Sequence, residues 1–163
     1  MLTVIQPPIS LFPVAYISLI PLFISLKRND IRHNFIMGFF AGTAAHLGQI
    51  YWVVIAMNRY GGIDIYTSVL IMLLLVLYLA LYIGVFSASS LYLEDKLSIP
   101  LFFSAPFIWV LLEYFRGIFL TGFPWSFLAH SQHNVHLLIQ VASIIGTYFL
   151  SFLIVAVNCI IYQ

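Results

Sequence analysis

The sequence has 163 residues, of which 63% are hydrophobic and 7% are charged, with a formal net charge of +1. Soluble domains contain about 25% charged residues, so this composition excludes an ordinary water-soluble globular protein. The near-neutral charge excludes a nucleic-acid-binding surface. A single cysteine, Cys159, excludes an internal disulfide framework and a cysteine-based zinc motif. The class that remains is a polytopic membrane protein.

Five apolar segments follow one another along the chain, and each is close to the length of about 20 residues that a helix needs to cross a bilayer. They cover residues 9–26, 35–57, 65–93, 100–120 and 137–162. Charged or turn-forming residues separate the first four, and an uncharged segment over 121–136 separates the last two. The sequence therefore predicts a single all-α transmembrane domain, a bundle of about five spanning helices, which we number one to five.

Positive charge in a short loop indicates the orientation of these helices. Lys27, Arg28 and Arg32 lie between helices one and two, and because Lys and Arg resist translocation, this loop is expected in the cytoplasm. That orientation places the segment over 121–136 outside. It also leaves the N-terminus outside and the C-terminus inside.

Two of the predicted helices carry residues that indicate how they pack. Small residues in helix two recur at helical spacing at Gly38, Ala41, Gly42 and Ala45. Such a stripe lets a neighbouring backbone approach closely. Polar residues in helix five fall on one face at Gln140, Ser143, Thr147, Ser151 and Asn158. The polar stripe is expected to form hydrogen bonds between helices, or to line a substrate cavity.

Glu113 and Arg116 are the only charged residues well inside a predicted span. They lie three residues apart, which places them on one side of helix four. A charged side chain left alone at the bilayer centre costs about 2.5–3.5 kcal/mol, and direct pairing of the two would lower that cost. We expect a pair that positions substrate or that clamps the following loop, and the spacing is compatible with both roles.

The segment that follows helix four is not a simple hydrophilic turn. Gly122 and Pro124 break the helix. Phe123, Trp125 and Phe127 are large aromatic residues in a loop, and amphipathic aromatic rings favour the headgroup level of a membrane. The sequence predicts a re-entrant or interfacial element that lies against lipid. This element is expected to form the rim of a lipid-entry site or an aromatic belt.

The histidines and the cysteine are further candidates for reactive groups. His130, His133 and His136 repeat at intervals of three, but no carboxylate lies near them in the sequence. We predict interfacial histidines and neither metal nor cofactor, with a metal site as the alternative. His46 in helix two is expected to be buried and hydrogen-bonded rather than a ligand or proton relay. Cys159 has no base or cation beside it to activate a thiol, so we predict a structural residue.

One string of residues at the end of helix four is distinctive. It reads Glu113-Tyr-Phe-Arg116-Gly117-Ile-Phe-Leu-Thr121-Gly122-Phe123-Pro124-Trp125 and is followed by Ser131-Gln132. Shorter fragments elsewhere are Ser18-Leu-Ile-Pro21-Leu22, Tyr51-Trp52-Val53, Gly61-Gly62 and Tyr78-Leu-Ala-Leu-Tyr82. In this order they resemble the membrane domain of bacterial apolipoprotein N-acyltransferases. The resemblance extends over nearly the whole chain.

The resemblance implies a lipid-modifying enzyme of the bacterial inner membrane. In the family an acyl chain passes from a phospholipid, typically phosphatidylethanolamine, to an enzyme cysteine, and then to the α-amino group of a diacylglyceryl-cysteine at a lipoprotein N-terminus. A glutamate base and a lysine serve that cysteine in a periplasmic nitrilase-like domain. The resemblance thus implies that this chain positions phospholipid and lipoprotein precursor. The positioning residues it implies are Glu113, Arg116, Gly122, Phe123, Pro124, Trp125, Ser131 and Gln132.

The sequence departs from the family at the catalytic domain. No set of Glu, Lys and Cys maps onto the catalytic residues, and Ala129-His130 stands where the family often has Gly-Tyr. The family's membrane domain also has a helix before helix one and more helices after helix five. We therefore expect a fragment, a split gene product or a degenerate copy. Such a chain is predicted to be inactive alone and to dock a nitrilase-like catalytic domain, which a separate chain could supply in trans.

Two hypotheses from other classes stay open. One is a non-enzymatic integral membrane module that binds lipid or a partner protein. The other is a small transporter that uses His46 and the polar stripe of helix five. A neighbouring reading frame with a nitrilase pattern would favour the enzyme over the module. Solute flux that is lost on Ser143→Leu and Thr147→Leu would favour the transporter.

Overall fold

The computed structural model describes residues 1–6 and 9–163. Within these residues the regular structure is helical and no strand is found, so the predicted all-α class is confirmed. The α-helices, numbered α1 to α7, cover Ile20–Ser25, Ile31–Ile50, Trp52–Arg59, Ile65–Leu97, Leu101–Ile118, His136–Ile145 and Thr147–Tyr162. Short 3-10 helices cover Phe12–Ile17, Phe119–Thr121 and Leu128–Gln132.

The candidate membrane-spanning elements differ in how continuous they are. Helices α4 and α5 are long and apolar enough to cross a membrane. Two bent pairs add further candidate spans, since α2 continues into α3 with a bend of 45° and α6 into α7 with a bend of 119°. The first apolar segment is a shorter helical stretch over Phe12–Ser25. The five apolar segments of the sequence thus correspond to two continuous helices and three short or bent ones.

The sharp bend between α6 and α7 lies at Gly146, whose φ of +97° is a conformation that glycine adopts readily. The sequence predicts one straight helix here, with all its polar residues on one face. Instead the bend divides that face: Ser151 and Asn158 are fully buried in α7, whereas Ser143 in α6 is exposed. The prediction of one continuous polar face along helix five is therefore wrong. The transporter hypothesis relied on this face, so the structure does not support it.

The small residues of α2 pack against α4. A Cβ atom on Gly38 would lie 2.6 Å from the carbonyl oxygen of Ile83, and one on Gly42 would lie 2.9 Å from the Ile83 Cβ. Both distances are well below van der Waals contact, so the two backbones approach through the space that the missing side chains leave. The packing face predicted for helix two is confirmed.

Helix α7 packs against α5 and against the first apolar segment. Asn158 joins it to that segment, because its Nδ2 donates to the Ala15 carbonyl oxygen at 2.8 Å and its Oδ1 accepts from the Leu19 N–H at 2.9 Å. The neighbouring Cys159 is fully buried in the apolar core. This is the setting predicted for a structural thiol.

The two ends of the bundle differ in their chemistry. At one end, which we call the charged end, Arg28 forms an ion pair of 3.0 Å with Glu94. At the opposite end, which we call the aromatic end, the rings of Trp52 and Trp125 pack edge to face with their centroids 5.6 Å apart. The loop between helices one and two and the loop between helices three and four therefore meet at the same end of the bundle.

Candidate functional site

Trp109, Glu113 and Arg116 form one buried face in the C-terminal half of α5. Spacings of four and three residues place them on the same side of the helix, and their exposed fractions are 7%, 4% and 5%. The helix ends at Ile118, and Leu120 has a φ of +50°. This left-handed residue helps turn the chain back, so the following loop folds against the buried face of α5.

The carboxylate of Glu113 holds this loop to the helix. Its Oε1 accepts hydrogen bonds from Trp109 Nε1 at 2.9 Å and from the backbone N–H of Leu128 at 2.7 Å. Leu128 begins a 3-10 helix, and the first N–H groups of a helix have no partner inside it. Glu113 therefore caps this short helix with a charge-assisted hydrogen bond, which is stronger than a neutral one.

The guanidinium of Arg116 contacts the same loop at other atoms. Its Nη2 donates to the carbonyl oxygens of Trp125 at 3.4 Å and Ser126 at 3.3 Å. Its central carbon lies 4.9 Å from the centre of the Phe127 ring, within the range of a cation–π interaction. Arg116 therefore holds the carbonyl groups of two successive peptide bonds, Trp125–Ser126 and Ser126–Phe127.

The direct ion pair expected between Glu113 and Arg116 is not formed. Among the residues that the structure describes, the ion pair found is that between Arg28 and Glu94. Because the loop offers a backbone donor to the carboxylate and backbone acceptors to the guanidinium, each side chain bonds to the loop rather than to the other. The geometry is a clamp on the loop, which is one of the two roles that the sequence left open.

The loop begins with a tight turn at Gly122, where φ is +80°. A Cβ atom at this position would lie 2.8 Å from the carbonyl carbon of Gly117, so a larger residue does not fit without a shift of the backbone. The N–H of Phe123 donates to the Arg116 carbonyl oxygen at 2.8 Å and closes the turn. Pro124 follows at an exposed position. The sequence predicts a break of the helix at Gly122 and Pro124, and α5 ends slightly earlier, at Ile118.

Ser131 and Gln132 lie on the inner side of the loop and are buried. Ser131 Oγ donates to the Leu128 carbonyl oxygen at 2.7 Å. Gln132 reaches the first apolar segment, since its Nε2 donates to the Phe12 carbonyl oxygen at 3.3 Å and its Oε1 accepts from the Tyr16 hydroxyl at 3.4 Å. Ser131 therefore holds the 3-10 helix of the loop together, and Gln132 anchors the loop to the first apolar segment.

A cavity of about 300 Å³ opens at the aromatic end. It is lined by Gln6, Gln49, Trp52, Trp125, Ser126, His130 and His133. Trp125 is 57% exposed and is the one predicted site residue in this lining. The wall combines aromatic faces with amide and imidazole groups, so it offers both apolar surface and hydrogen bonds to a ligand.

Sequence reasoning missed Gln6 and Gln49. Gln6 Nε2 donates to the Phe127 carbonyl oxygen at 3.0 Å, and Gln49 Nε2 donates to the Leu2 carbonyl oxygen at 2.7 Å. Gln49 did carry a signal, because an amide side chain in an apolar helix must face protein or water. Gln6 carried none, since its contact joins residues 121 positions apart in the sequence.

His130 lies in the loop, with its ring stacked on Phe127 at a centroid distance of 5.4 Å. Burial, and then the positive charges of Arg116 and His133, lower the pKa of His130 below its ordinary value. The imidazole is therefore neutral at neutral pH. Within residues 1–6 and 9–163, no group of three His, Cys, Asp or Glu side chains that could hold a metal ion is found.

The fold and the site together define a class of protein. It is a helical domain with candidate membrane spans, in which a loop clamped by a buried glutamate and a buried arginine presents a tryptophan beside a cavity. The model of one family, the apolipoprotein N-acyltransferase N-terminal domain, matches residues 1–160. The chain belongs to this family, as the resemblance of its motifs predicts.

Several curated bacterial relatives are named apolipoprotein N-acyltransferase. The one from Geobacter metallireducens is 40% identical over 157 residues, which cover 96% of this chain and 30% of the relative. The one from Wigglesworthia glossinidia brevipalpis is 32% identical over 153 residues, covering 93% of this chain and 30% of the relative. The one from Vibrio parahaemolyticus is 30% identical over 127 residues, covering 77% and 25% respectively. The chain thus spans less than a third of the length of these relatives.

Proposed function

We propose that this chain is the substrate-positioning membrane domain for lipoprotein N-acylation. In that reaction an acyl chain moves from a phospholipid to the α-amino group of a diacylglyceryl-cysteine. Family membership supports the reaction. The observation that carries the positioning role is the cavity at the aromatic end, beside the loop that Glu113 and Arg116 clamp. The partners of this domain are then membrane phospholipid and a lipoprotein precursor.

The composition of the cavity wall suits a phospholipid headgroup. Tryptophan rings favour the headgroup level of a membrane, and Trp52 and Trp125 form the aromatic part of the wall. The amide of Gln6 and the imidazoles of His130 and His133 offer hydrogen bonds to headgroup and ester oxygens. A volume of about 300 Å³ is at the lower end for a small-molecule site, so the headgroup fits while the acyl chains stay in the bilayer.

The clamp gives the loop between α5 and α6, residues 119–135, which we call the Trp125 loop, a fixed position relative to α5. Positioning a substrate requires side chains held on rigid elements, because a displacement of about 1 Å can reduce a rate about 100-fold. Glu113 and Arg116 supply this support from one long helix. The other predicted residues act with them in the same loop: Gly122, Phe123 and Pro124 form the turn, and Ser131 and Gln132 form the anchor.

We assign the acyl-transfer chemistry to a nitrilase-like domain that is joined to this domain or supplied by a separate chain. Cys159 is not proposed as the nucleophile, because its side chain is fully buried among apolar residues. A thiolate nucleophile needs an electropositive and partly exposed setting. This chain alone is expected to transfer no acyl group.

We propose that the domain lies in the bacterial inner membrane with the aromatic end toward the periplasm. The positive-inside rule assigns the charged end, which carries Lys27, Arg28 and Arg32, to the cytoplasm. The positions of one residue near each end of the chain, Leu2 and Tyr162, support an odd number of crossings. The Leu2 carbonyl oxygen accepts a hydrogen bond from Gln49 near the aromatic end. The ring of Tyr162 packs on that of Phe23 near the charged end, with the ring centroids 5.5 Å apart.

A chimera tests the proposal. In the Geobacter metallireducens relative, the matched membrane region is replaced by this chain, and N-acylation of a lipoprotein is measured in cells that depend on it. We expect the chimera to support N-acylation and Trp125→Ala to reduce it by at least about tenfold. The matched control is Phe103→Ala, which removes an aromatic ring of 56% exposure from the other half of α5.

Two outcomes of this experiment count against the proposal. If Trp125→Ala and Phe103→Ala have the same small effect, the cavity does not position substrate. If the chimera inserts in the membrane but does not N-acylate lipoproteins, the alternative of a non-enzymatic lipid- or partner-binding module is favoured.

A further inference from the structure

His46 and Arg116 approach one small cavity from two different helices. His46 lies in α2 and Arg116 in α5, and their exposed fractions are 3% and 5%. The cavity has a volume of about 20 Å³ and is also lined by Gln6, Gln49 and Ser126. A water molecule needs a cavity of about 10–15 Å³ and two to four polar partners. The cavity therefore has the size and the polar lining for one water molecule.

The position of the hydrogen on His46 follows from its neighbour Gln49. Gln49 Nε2 donates to the Leu2 carbonyl oxygen at 2.7 Å, which turns Gln49 Oε1 toward His46. His46 Nδ1 lies 3.0 Å from this oxygen, and because an amide oxygen only accepts hydrogen bonds, Nδ1 carries the hydrogen. A second hydrogen on Nε2 would place an imidazolium beside the Arg116 guanidinium in a buried site, which is unfavourable. His46 Nε2 is therefore a lone-pair acceptor.

Arg116 supplies the complementary donor. Its Nη2 donates hydrogen bonds to the Trp125 and Ser126 carbonyl oxygens. Its Nε–H, which can only donate, takes no part in these bonds. Within the described part of the chain, neither Arg116 Nε nor His46 Nε2 has a hydrogen-bond partner. A buried donor and a buried acceptor, each without a partner, line the same cavity. A group that both accepts and donates would satisfy them together.

We propose that this cavity binds one water molecule, which accepts a hydrogen bond from Arg116 Nε–H and donates one to His46 Nε2. The water joins α2 to α5 at the guanidinium that fixes the Trp125 loop. His46 is then a positioning residue for Arg116, acting through the water. This inference does not depend on the proposed function.

Solid-state NMR of the full chain in phospholipid bilayers, labelled with ¹⁵N at histidine and arginine, tests the proposal. We expect His46 to show a protonated Nδ1 and an unprotonated Nε2. His33 is the internal reference for the opposite tautomer, because its Nε2 lies 3.1 Å from the Ser25 carbonyl oxygen and must carry the hydrogen. Polarisation transfer from water to Arg116 Nε–H is also expected. A protonated His46 Nε2, or no transfer to Arg116 Nε, overturns the proposal.

A variant then locates the water. His46→Phe replaces the imidazole that faces the cavity with an apolar ring, which cannot accept the hydrogen bond of the water. Polarisation transfer from water to Arg116 Nε–H should therefore be lost. The matched control His33→Phe lies near the charged end and should leave that transfer unchanged. Retention of the transfer in a folded His46→Phe protein overturns the bridge. If this variant does not fold, as judged by circular dichroism, the tautomer and the water transfer of the unsubstituted chain decide the question.

Discussion

The backbone N–H of Leu128 donates to the carboxylate of Glu113 at 2.7 Å, although the two residues lie 15 positions apart. This bond connects the buried face of α5 to the far side of the interfacial loop. A carboxylate inside a membrane is costly, and here its hydrogen bonds fix the start of a short helix. The position of the loop therefore depends on its contacts with α5 as well as on its own turn residues.

Removal of the Glu113 carboxylate tests this relationship. Glu113→Leu leaves the Trp109 Nε1 and Leu128 N–H donors buried without an acceptor, and we expect a loss of about 2–4 kcal/mol in the free energy of unfolding. Glu113→Gln keeps an acceptor oxygen and should cost less. The free energy is measured by reversible unfolding in lipid bilayers or mixed micelles.

The matched control for this test is Glu94→Leu, which removes the carboxylate paired with Arg28 at the charged end. The Arg28 side chain is 70% exposed, so the loss should be within about 1 kcal/mol. If Glu113→Leu is as mild as Glu94→Leu, the clamp does not stabilise the loop.

The turn at Gly122 should tolerate no side chain. Gly122→Ala combines a φ of +80° with an approach of 2.8 Å to the Gly117 carbonyl carbon, and we expect a loss of about 1–3 kcal/mol in the free energy of unfolding. Gly62→Ala is the matched control, since Gly62 has a φ of +66° but nothing within 4 Å of the added atom. It should cost about 1 kcal/mol. Equal losses for the two variants would contradict the close packing of the turn.

The half-buried position of His130 predicts a pH dependence. The folded state holds the pKa of His130 below its ordinary value of about 6.5. Between the folded and the unfolded pKa values the unfolded chain binds more protons, so the free energy of unfolding falls as the pH falls below about 6.5. This part of the stability is present above the unfolded pKa.

Unfolding measured at about pH 7.5 and about pH 5.5, with and without His130→Gln, separates the contribution of this residue. The variant should have a smaller loss of stability on acidification than the unsubstituted chain. His136→Gln, at an exposed position, is the control that should retain the full loss. A stability that increases on acidification in the unsubstituted chain, but not in His130→Gln, would contradict the prediction.

Features that depend on local sequence were predictable. The close approach of α2 to α4 at Gly38 follows from the spacing of small residues, and the break after α5 follows from Gly122 and Pro124. That Glu113 and Arg116 share one face follows from their spacing of three residues. Each of these predictions uses residues within a few helical turns.

Features that depend on distant contacts were not predictable. The sequence did not indicate that the backbone groups of Leu128 and Trp125 would take the hydrogen bonds of Glu113 and Arg116, because any backbone group of the loop could have done so. The sharp bend between α6 and α7 at Gly146 likewise depends on packing, because an apolar segment with one glycine can also form a straight helix. The hydrogen bond from Gln6 to the Phe127 carbonyl oxygen joins residues 121 positions apart in the sequence, so no local pattern indicates it.

Photochemical labelling tests the central claim most directly. The chain is placed in vesicles that contain a phosphatidylethanolamine with a photoreactive group near its headgroup, and the labelled residues are identified by mass spectrometry. The account predicts labels concentrated on Trp52, Trp125 and His133, and a reduction of this labelling by Trp125→Ala but not by Phe103→Ala. Labels spread evenly over the exposed apolar surface, and unchanged by Trp125→Ala, would contradict the claim that this domain positions phospholipid at the aromatic end.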